Sequence, residues 1–216
     1  MGVKWRDFQM PKRLECDESV YTDRYGKFIA EPFEKGYGVT LGNSLRRILL
    51  SSIEGSAITS VKFDGVQHEY STIPGVMESV ADIILNLKRV VLRSYSKVAK
   101  PIYIKAEKKG DIKAVDIICD ETIEILNPDL HIATLSRDAH FHIEMEVARG
   151  RGYVPADLNK KEGLPVGTIP IDSIFTPIVK INFNVENTRV GQRTDYDRLI
   201  FEIWTNGAIN AKEALL

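Results

Sequence analysis

A glycine-spaced turn that leads directly into a long apolar stripe constrains this chain more than any other feature. The stretch GYGVTLGNSLRRILLSS occupies residues 36–52, with glycines in the spacing G-x-G-x-x-x-G. Apolar residues recur through it at helical spacing and predict an amphipathic helix over about Leu41–Glu54, ended by Gly55 in a left-handed conformation. The stripe consists of Leu41, Leu45, Ile48, Leu49 and Ile53. Small residues on the same helix would let another backbone approach closely.

The adjacent Arg46 and Arg47 leave three interpretations of this helix open. No carboxylate follows them until Glu54. An apolar face beside two guanidinium groups favours docking against another protein. The glycines before a helix N-terminus could instead cradle a phosphate, although their spacing matches neither the dinucleotide fingerprint nor the Walker pattern. The third interpretation is an ordinary core helix with solvated arginines.

Composition excludes several classes of protein. The chain has 216 residues, 44% apolar and 27% charged, which indicates a globular protein that buries a core in one domain or two small ones. A net charge of −1 argues against a dedicated nucleic-acid binder. No apolar run could span a bilayer, no signal-peptide core begins the chain, and the distant Cys16 and Cys119 predict neither a disulfide framework nor a thiolate metal site. We therefore expect a cytoplasmic protein without membrane contact.

Periodicity along the chain predicts many strands and few helices. Alternation indicates strands at residues 26–33, 57–63, 101–106, 115–119, 140–147, 178–185 and 198–204. A second helix is expected after Thr72 as cap and Pro74 in the first turn, while residues 150–170 resemble a long surface loop. Asn210 and Glu213 form a capping-box pattern that opens a last helix, which we expect to continue beyond this sequence.

Two clusters could carry chemistry. His140, His142, Glu144 and Glu146 share one face of a predicted strand, but a straight row cannot converge on one ion unless a second strand supplies ligands, so a solvated face is favoured. The segment RGRGY at residues 149–153 could contact phosphate or a protein partner, or could simply end a strand. No nucleophile elbow occurs and the carboxylates are scattered along the chain, so the sequence predicts no catalytic residue, no cofactor and no metal.

Several segments together resemble one family, the amino-terminal domain of the bacterial RNA polymerase alpha subunit. The helix-one stretch at residues 36–52 carries the resemblance first, and the closing Thr205-Asn206-Gly207 fits it as well. Between them, in family order, lie DGVQHEYST at residues 64–72, LNLK at 85–88, RGRGYVPA at 149–156, and NVE through QRTD at 184–195. The combination covers the chain from about residue 28 onward.

The resemblance implies an α+β fold in two parts. A discontinuous α/β dimerisation subdomain would be built from residues 1–52 and 180–216, with an inserted mainly-β subdomain at residues 53–179. The DNA-binding C-terminal domain of the family is absent from this sequence, so no direct sequence-specific DNA contact is expected from this region.

The resemblance also implies a function, that of a non-catalytic assembly platform of DNA-directed RNA polymerase, a nucleotidyltransferase. The chain would pair with itself and dock the beta and beta-prime subunits in the bacterial cytoplasm, as part of the nucleoid-associated enzyme. The implied dimer contacts are Leu41, Leu45, Ile48, Leu49 and Leu215. The implied beta contacts are Arg46, Arg47, Leu50, His68, Glu69 and Tyr70. The implied beta-prime contacts are Lys88, Asp172 and Lys180.

Overall fold

The computed structural model describes residues 8–160, 163 and 165–215. It confirms the α+β class, with strands outnumbering helices among the described residues. In chain order the elements are β1 (Glu15–Cys16), β2 (Tyr25–Phe33), α1 (Tyr37–Ser52), β3 (Glu54–Phe63), α2 (Val80–Leu87), β4 (Leu92–Ser94), β5 (Lys100–Ala106), β6 (Gly110–Lys113), β7 (Ile117–Ile118), β8 (Ile123–Ile125), β9 (His131–Leu135), β10 (Phe141–Arg151), β11 (Tyr153–Val154), α3 (Ala156–Asn159), β12 (Thr168–Pro170), β13 (Ser173–Ile174), β14 (Ile178–Val190), β15 (Arg193–Thr205) and α4 (Ala211–Leu215). No helix among these residues is long and apolar enough to cross a bilayer.

The chain divides into two compact units. The terminal unit takes the residues up to 53 and from 177 onward, and the middle unit takes residues 54–176. Each unit has a core of its own, because the buried apolar residues separate into clusters that do not cross this division.

An antiparallel sheet in the order β1-β2-β15-β14 forms the body of the terminal unit. Alternate residues of its strands bury one face, including Phe28, Phe201 and Ile203. Helix α1 packs closely on this sheet through glycine: a Cβ placed at Gly42 would lie 2.5 Å from the ring of Phe183. Glycine at this position therefore permits the close approach of helix and strand.

Both ends of α1 differ from the prediction. The helix begins at Tyr37, after Gly36 as N-cap with a φ of 88°, a conformation that glycine adopts readily. It ends at Ser52 with Ile53 already extended, and Gly55 does not terminate it. Gly55 belongs instead to β3 of the middle unit, because it pairs there with Gly150 of β10.

The middle unit is built on a seven-stranded sheet in the order β7-β5-β10-β3-β4-β8, with β12 also paired to β3. Its core contains fully buried side chains from the central strands, among them Phe63, Ile102, Ile143 and Met145. Helix α2 adds Ile83 and Leu87 to this core, as its apolar spacing predicts.

The start of α2 is a correction to the sequence analysis. Helix α2 begins at Val80, where Ser79 accepts from the backbone of Asp82 and the Asp82 carboxylate accepts from Ser79 N in return. This reciprocal pair satisfies N-terminal donors that would otherwise lack partners. Thr72 caps no helix and instead forms an isolated β-bridge with Ser79.

Two other regions differ from the alternation pattern. Residues 115–119 do not form one strand, because a 3-10 turn at Ala114–Asp116 precedes the two-residue strand β7. The expected loop at residues 150–170 is divided by β11, α3 and β12, with residues 161, 162 and 164 outside the described part. The other predicted strands are present. The capping box of the last helix is confirmed, since Glu213 N donates to Asn210 Oδ1 at 2.8 Å.

Candidate protein-docking surfaces

The glycine turn before α1 is filled by a carboxylate of its own chain. Asp197 Oδ2 accepts from Gly36 N at 2.8 Å and from Gly38 N at 3.1 Å, and Asp197 is 6% exposed. Negative charge at a helix N-terminus is favourable, and these donors would otherwise lack partners. A phosphate at this turn would have to displace a buried carboxylate, so the structure lends no support to the phosphate-cradle interpretation.

The polar face of α1 is satisfied by its own backbone. Side chains of this face donate to carbonyls four residues earlier at 2.7–3.1 Å, in the pairs Thr40–Gly36, Asn43–Val39, Ser44–Thr40 and Ser51–Arg47. The helix also contains no acidic residue. A partner can therefore cover this surface without leaving the hydroxyl and amide donors unpaired, which would carry a large free-energy cost.

An apolar groove of about 270 Å³ opens beside α1 in the terminal unit. Its lining includes Phe28 and Phe201 from the sheet, Leu41 and Leu45 from α1, and Leu215 from α4. Residues 11–14 also line it. An apolar concavity of this kind is a candidate surface for another protein or for a second copy of the chain.

The structure separates the implied dimer contacts into three groups. Leu41, Leu45 and Leu215 line the groove. Ile48 is 55% exposed and falls about 20° from Leu41 around the helix, at about 100° per residue, so it extends the flank of the groove. Leu49 is 4% exposed and belongs to the core of its own chain, which leaves it little surface to offer a partner.

The paired arginines lie on other faces of the same helix. Arg46 and Arg47 are both exposed, and within the described part of the chain neither forms an ion pair or a side-chain hydrogen bond. Arg47 lies about 120° from Leu41 around α1, away from the groove flank. Leu50 is half-buried. Helix α1 thus carries an apolar flank and a cationic face that two different partners could contact at once.

The segment His68–Tyr70, here called the Tyr70 loop, lies in the middle unit. Tyr70 is 84% exposed, His68 is exposed and Glu69 is half-buried. A turn fixes the loop, because Ser71 N donates to His68 O at 3.3 Å and Ser71 Oγ lies 3.1 Å from His68 Nδ1. A large aromatic side chain held out from an ordered turn is suited to anchor a protein contact.

Two of the implied beta-prime contacts meet in the middle unit. Lys88, at the C-terminal end of α2, pairs with the carboxylate of Asp172. The hydrogen bond from Lys88 lowers the pKa of Asp172, with a smaller contribution from Tyr153. Lys180 belongs to the terminal unit, where its ammonium lies 4.7 Å from the ring centre of Trp204 in a cation–π contact.

The histidine row does not form a metal centre. His142 Nδ1 and His140 Nε2 approach one carboxylate oxygen of Asp64 at 3.1 and 3.5 Å, and the hydrogen bond from His142 lowers the pKa of Asp64. Glu146 instead receives a hydrogen bond from Thr59. Among the residues that the structure describes, no group of His, Cys, Asp or Glu side chains is arranged to hold a metal ion.

The glycines of the RGRGY segment serve the fold. A Cβ at Gly150 would lie 2.8 Å from the ring of Phe175, and Gly152, with a φ of 62°, accepts from Phe175 N at 2.8 Å. Arg149 pairs with Glu54, and Tyr153 remains 59% exposed. The spacing of this segment is therefore explained by packing around Phe175 rather than by a bound phosphate.

Sequence reasoning missed Asp197 and the contact between Tyr153 and Asp172. A signal for Asp197 was present, because it shares strand parity with the buried Leu199, Phe201 and Ile203. An acidic residue in the inward series of a strand indicates a specific buried partner. No sequence signal pairs Tyr153 with Asp172, since their contact depends on β11 lying beside β13.

Comparison with known proteins identifies similar chains along the whole sequence. The family described as RNA polymerase Rpb3/RpoA insert domain matches residues 61–176. The chain is 56% identical over 215 residues to DNA-directed RNA polymerase subunit alpha of Geobacter metallireducens, covering 100% of this chain and 63% of the relative. The same subunit of Desulfitobacterium hafniense is 57% identical over 208 residues, covering 96% and 66%. The chain thus spans 63–66% of the length of these curated relatives.

Proposed function

The chain belongs to the bacterial DNA-directed RNA polymerase alpha subunits, and on that premise we propose that it is a non-catalytic assembly platform of the polymerase. Two copies pair, and the pair docks the beta and beta-prime subunits, which supply the nucleotidyl-transfer chemistry. Holding two large subunits at a fixed separation raises their effective concentration for each other. We propose that this assembly takes place in the bacterial cytoplasm, on the nucleoid.

The apolar groove supports the pairing of two copies. Leu41, Leu45 and Leu215 line it, and Ile48 extends its flank into solvent. A two-fold axis beside α1 would bring the same residues of a second copy onto this surface, because a two-fold interface is self-complementary. Burying one large apolar side chain contributes about 1.5–3 kcal/mol, so a few such residues from each copy can hold a dimer.

The cationic face of α1 supports docking of beta while the groove is occupied. Arg47 is exposed and lies on a different face from Leu41, so one helix can serve both contacts. A guanidinium group binds carboxylates or carbonyls through two parallel hydrogen bonds, which lysine cannot reproduce. In this proposal Arg46, Leu50 and the Tyr70 loop add further contacts to beta.

The cluster around Lys88 supports a separate contact to beta-prime. Lys88 and Asp172 neutralise each other, and the neighbouring Tyr153 and Ile174 are 59% and 57% exposed. An ion pair whose charges already face each other loses less hydration when a partner covers it than two isolated charges would, and the exposed apolar side chains beside it supply area to bury. Lys180, with Trp204, adds the contact from the terminal unit.

One observation carries the proposal: a single helix without carboxylates offers an apolar flank and two arginine side chains that form no ion pair with any residue the structure describes. The test measures the mass of the complex by analytical ultracentrifugation, alone and with the beta subunit. Ile48→Glu should give monomers, since it places a charge on the proposed two-fold contact without disturbing a buried residue. Arg47→Ala should leave the dimer intact and weaken beta binding by about 2 kcal/mol or more.

The matched control is Arg24→Ala, which removes an exposed arginine of the same unit. It should change neither dimerisation nor beta binding. A wild-type chain that stays monomeric at high concentration would contradict the pairing. Beta binding by Arg47→Ala as tight as that of Arg24→Ala would contradict the docking face.

A further inference from the structure

Glu78 of the middle unit makes an unusually complete set of contacts for a loop carboxylate. Its Oε2 accepts from Thr134 N at 2.7 Å, and its Oε1 accepts from Thr134 Oγ1 at 3.0 Å. His131 Nε2 lies 2.9 Å from the same Oε1. The Glu78 side chain is 20% exposed. This one side chain therefore fastens the segment before α2 to strand β9.

The backbone before Glu78 follows the same strand. Met77 N donates to Thr134 O at 3.0 Å, and Val76 forms a β-bridge with Leu135. Gly75 O accepts from Ser136 N at 2.9 Å. Residues 75–77 thus lie against the end of β9 at a single isolated β-bridge, and the Glu78 side chain adds contacts to Thr134 and His131 of the same strand.

The residues after Glu78 hold the base of the Tyr70 loop. Ser79 forms a β-bridge with Thr72, and Val80 N donates to Ser71 O at 3.1 Å. Ser71 is the residue whose amide and hydroxyl contact His68. A continuous set of hydrogen bonds therefore runs from β9 through Glu78 and Ser79 to the turn that presents Tyr70.

We infer that Glu78 is a positioning residue that holds the Tyr70 loop in its docking conformation for the beta subunit. The inference rests on the proposed function, which assigns the loop to that partner. A loop already ordered before association loses less conformational entropy on binding, so the anchor increases affinity without touching the partner.

The charge state of Glu78 is consistent with this role. Burial alone would raise its pKa, but hydrogen bonds from Thr134 and His131 outweigh burial and lower the pKa below the ordinary value. The carboxylate is therefore ionised at neutral pH, and hydrogen bonds to an ionised acceptor are stronger than neutral ones.

Asp111 provides a matched control. Its Oδ1 accepts from Thr134 Oγ1 at 3.3 Å and lies 3.8 Å from His131 Nδ1, so it contacts the same two residues as Glu78. It belongs to β6, which pairs with β9 rather than with the segment that carries the loop. Replacing it perturbs the same neighbourhood but leaves the anchor of the loop in place.

The test measures the affinity of the dimeric chain for the beta subunit in a double-mutant cycle. Tyr70→Ala and Glu78→Ala should each weaken binding about tenfold, and the double variant should be no weaker than Tyr70→Ala, because the anchor acts through the aromatic ring. Hydrogen exchange of residues 66–72 should accelerate in Glu78→Ala while β10 stays protected. Asp111→Asn should change neither quantity.

The possible outcomes test the beta contact of the Tyr70 loop and the positioning role of Glu78 separately. Wild-type affinity in Tyr70→Ala would remove the loop from the beta contact, and the inference would fall with it. A weakened Tyr70→Ala beside an unaffected Glu78→Ala, or fully additive losses, would overturn the positioning role alone. Glu78→Gln keeps the shape of the side chain without its charge. If Glu78→Ala does not fold, Glu78→Gln must show the faster hydrogen exchange of residues 66–72 while β10 stays protected.

Discussion

The carboxylate of Asp197 accepts a hydrogen bond from the backbone amide of Gly38, which lies 159 positions earlier in the chain. The same oxygen accepts from Gly36, so one side chain of β15 supplies the N-terminal cap of α1. The orientation of α1, and with it the direction of both its candidate docking faces, is therefore set by a residue distant in sequence.

Replacing Asp197 with Asn should destabilise the terminal unit. The neutral amide is a weaker acceptor for the two helix donors, and the expected loss is about 1–2 kcal/mol in free energy of unfolding. Urea unfolding monitored by circular dichroism measures it. Asp195→Asn, which removes only an exposed ion pair with Arg193, should cost less than about 1 kcal/mol, and equal losses in both variants would contradict the cap.

Gly42→Ala should also destabilise, although alanine favours helix. A Cβ at this position would lie 2.5 Å from the Phe183 ring. Overpacking of this kind costs about 1–3 kcal/mol of stability, which outweighs the stabilisation of about 1 kcal/mol that alanine gives a helix relative to glycine. Thermal unfolding checks the sign. Ser44→Ala on the exposed face of α1 is the control, and adding Phe183→Leu should partly rescue Gly42→Ala.

The Lys88–Asp172 pair should make stability depend on pH. The folded-state pKa of Asp172 is lowered, first by the hydrogen bond from Lys88, so its contribution is present above the ordinary aspartate pKa of about 3.9 and is lost as pH falls through the lowered value. Wild type should exceed Asp172→Asn in free energy of unfolding at pH 7, and the difference should shrink toward pH 3. In a Lys88→Met background the pH dependence of that difference should weaken. If the pH dependence keeps its full size there, a group other than the Lys88–Asp172 pair is responsible for it.

Tyr25 should ionise late in an alkaline titration. Burial first, and then the hydrogen bond and charge of Glu202, raise its pKa to about 12. A raised folded-state pKa means that its contribution to stability is complete below about pH 10 and is lost as pH rises toward 12. Difference absorbance of tyrosinate measures the titration. Tyr25→Phe should remove the step near pH 12, and Glu202→Gln should move it to lower pH; an unchanged step in Glu202→Gln would rule out that partner.

Local patterns predicted the elements whose determinants are local. The stripe of α1, the capping pair Asn210 and Glu213 and the alternation of β10 each depend on neighbours within a few residues. The start of α2 also has a local determinant, the capping pair Ser79 and Asp82, which the choice of Thr72 overlooked. The start of α1 could not be obtained from local patterns. Asp197 caps one helix from the far end of the chain, and Thr72 is drawn into a bridge with Ser79.

The candidate site shows the same limit. Periodicity places Leu49 with Leu41 and Leu45 in one apolar stripe, because all three recur at helical spacing. The sheet beneath α1 divides that stripe, burying Leu49 and leaving Ile48 exposed. A helical pattern identifies which side chains are apolar, but the position of the neighbouring strands determines which of them a partner can reach.

The order of the strands along the chain also determines when the terminal unit can fold during translation. Tyr25 of β2 meets Glu202 of β15 across 177 positions, so the sheet that bears the groove closes only after the ribosome has delivered nearly all of this sequence. The middle unit, by contrast, lies complete between those two strands and can fold while translation continues. A prematurely ended polypeptide would therefore lack the groove itself, and with it the surface through which we propose that two copies pair.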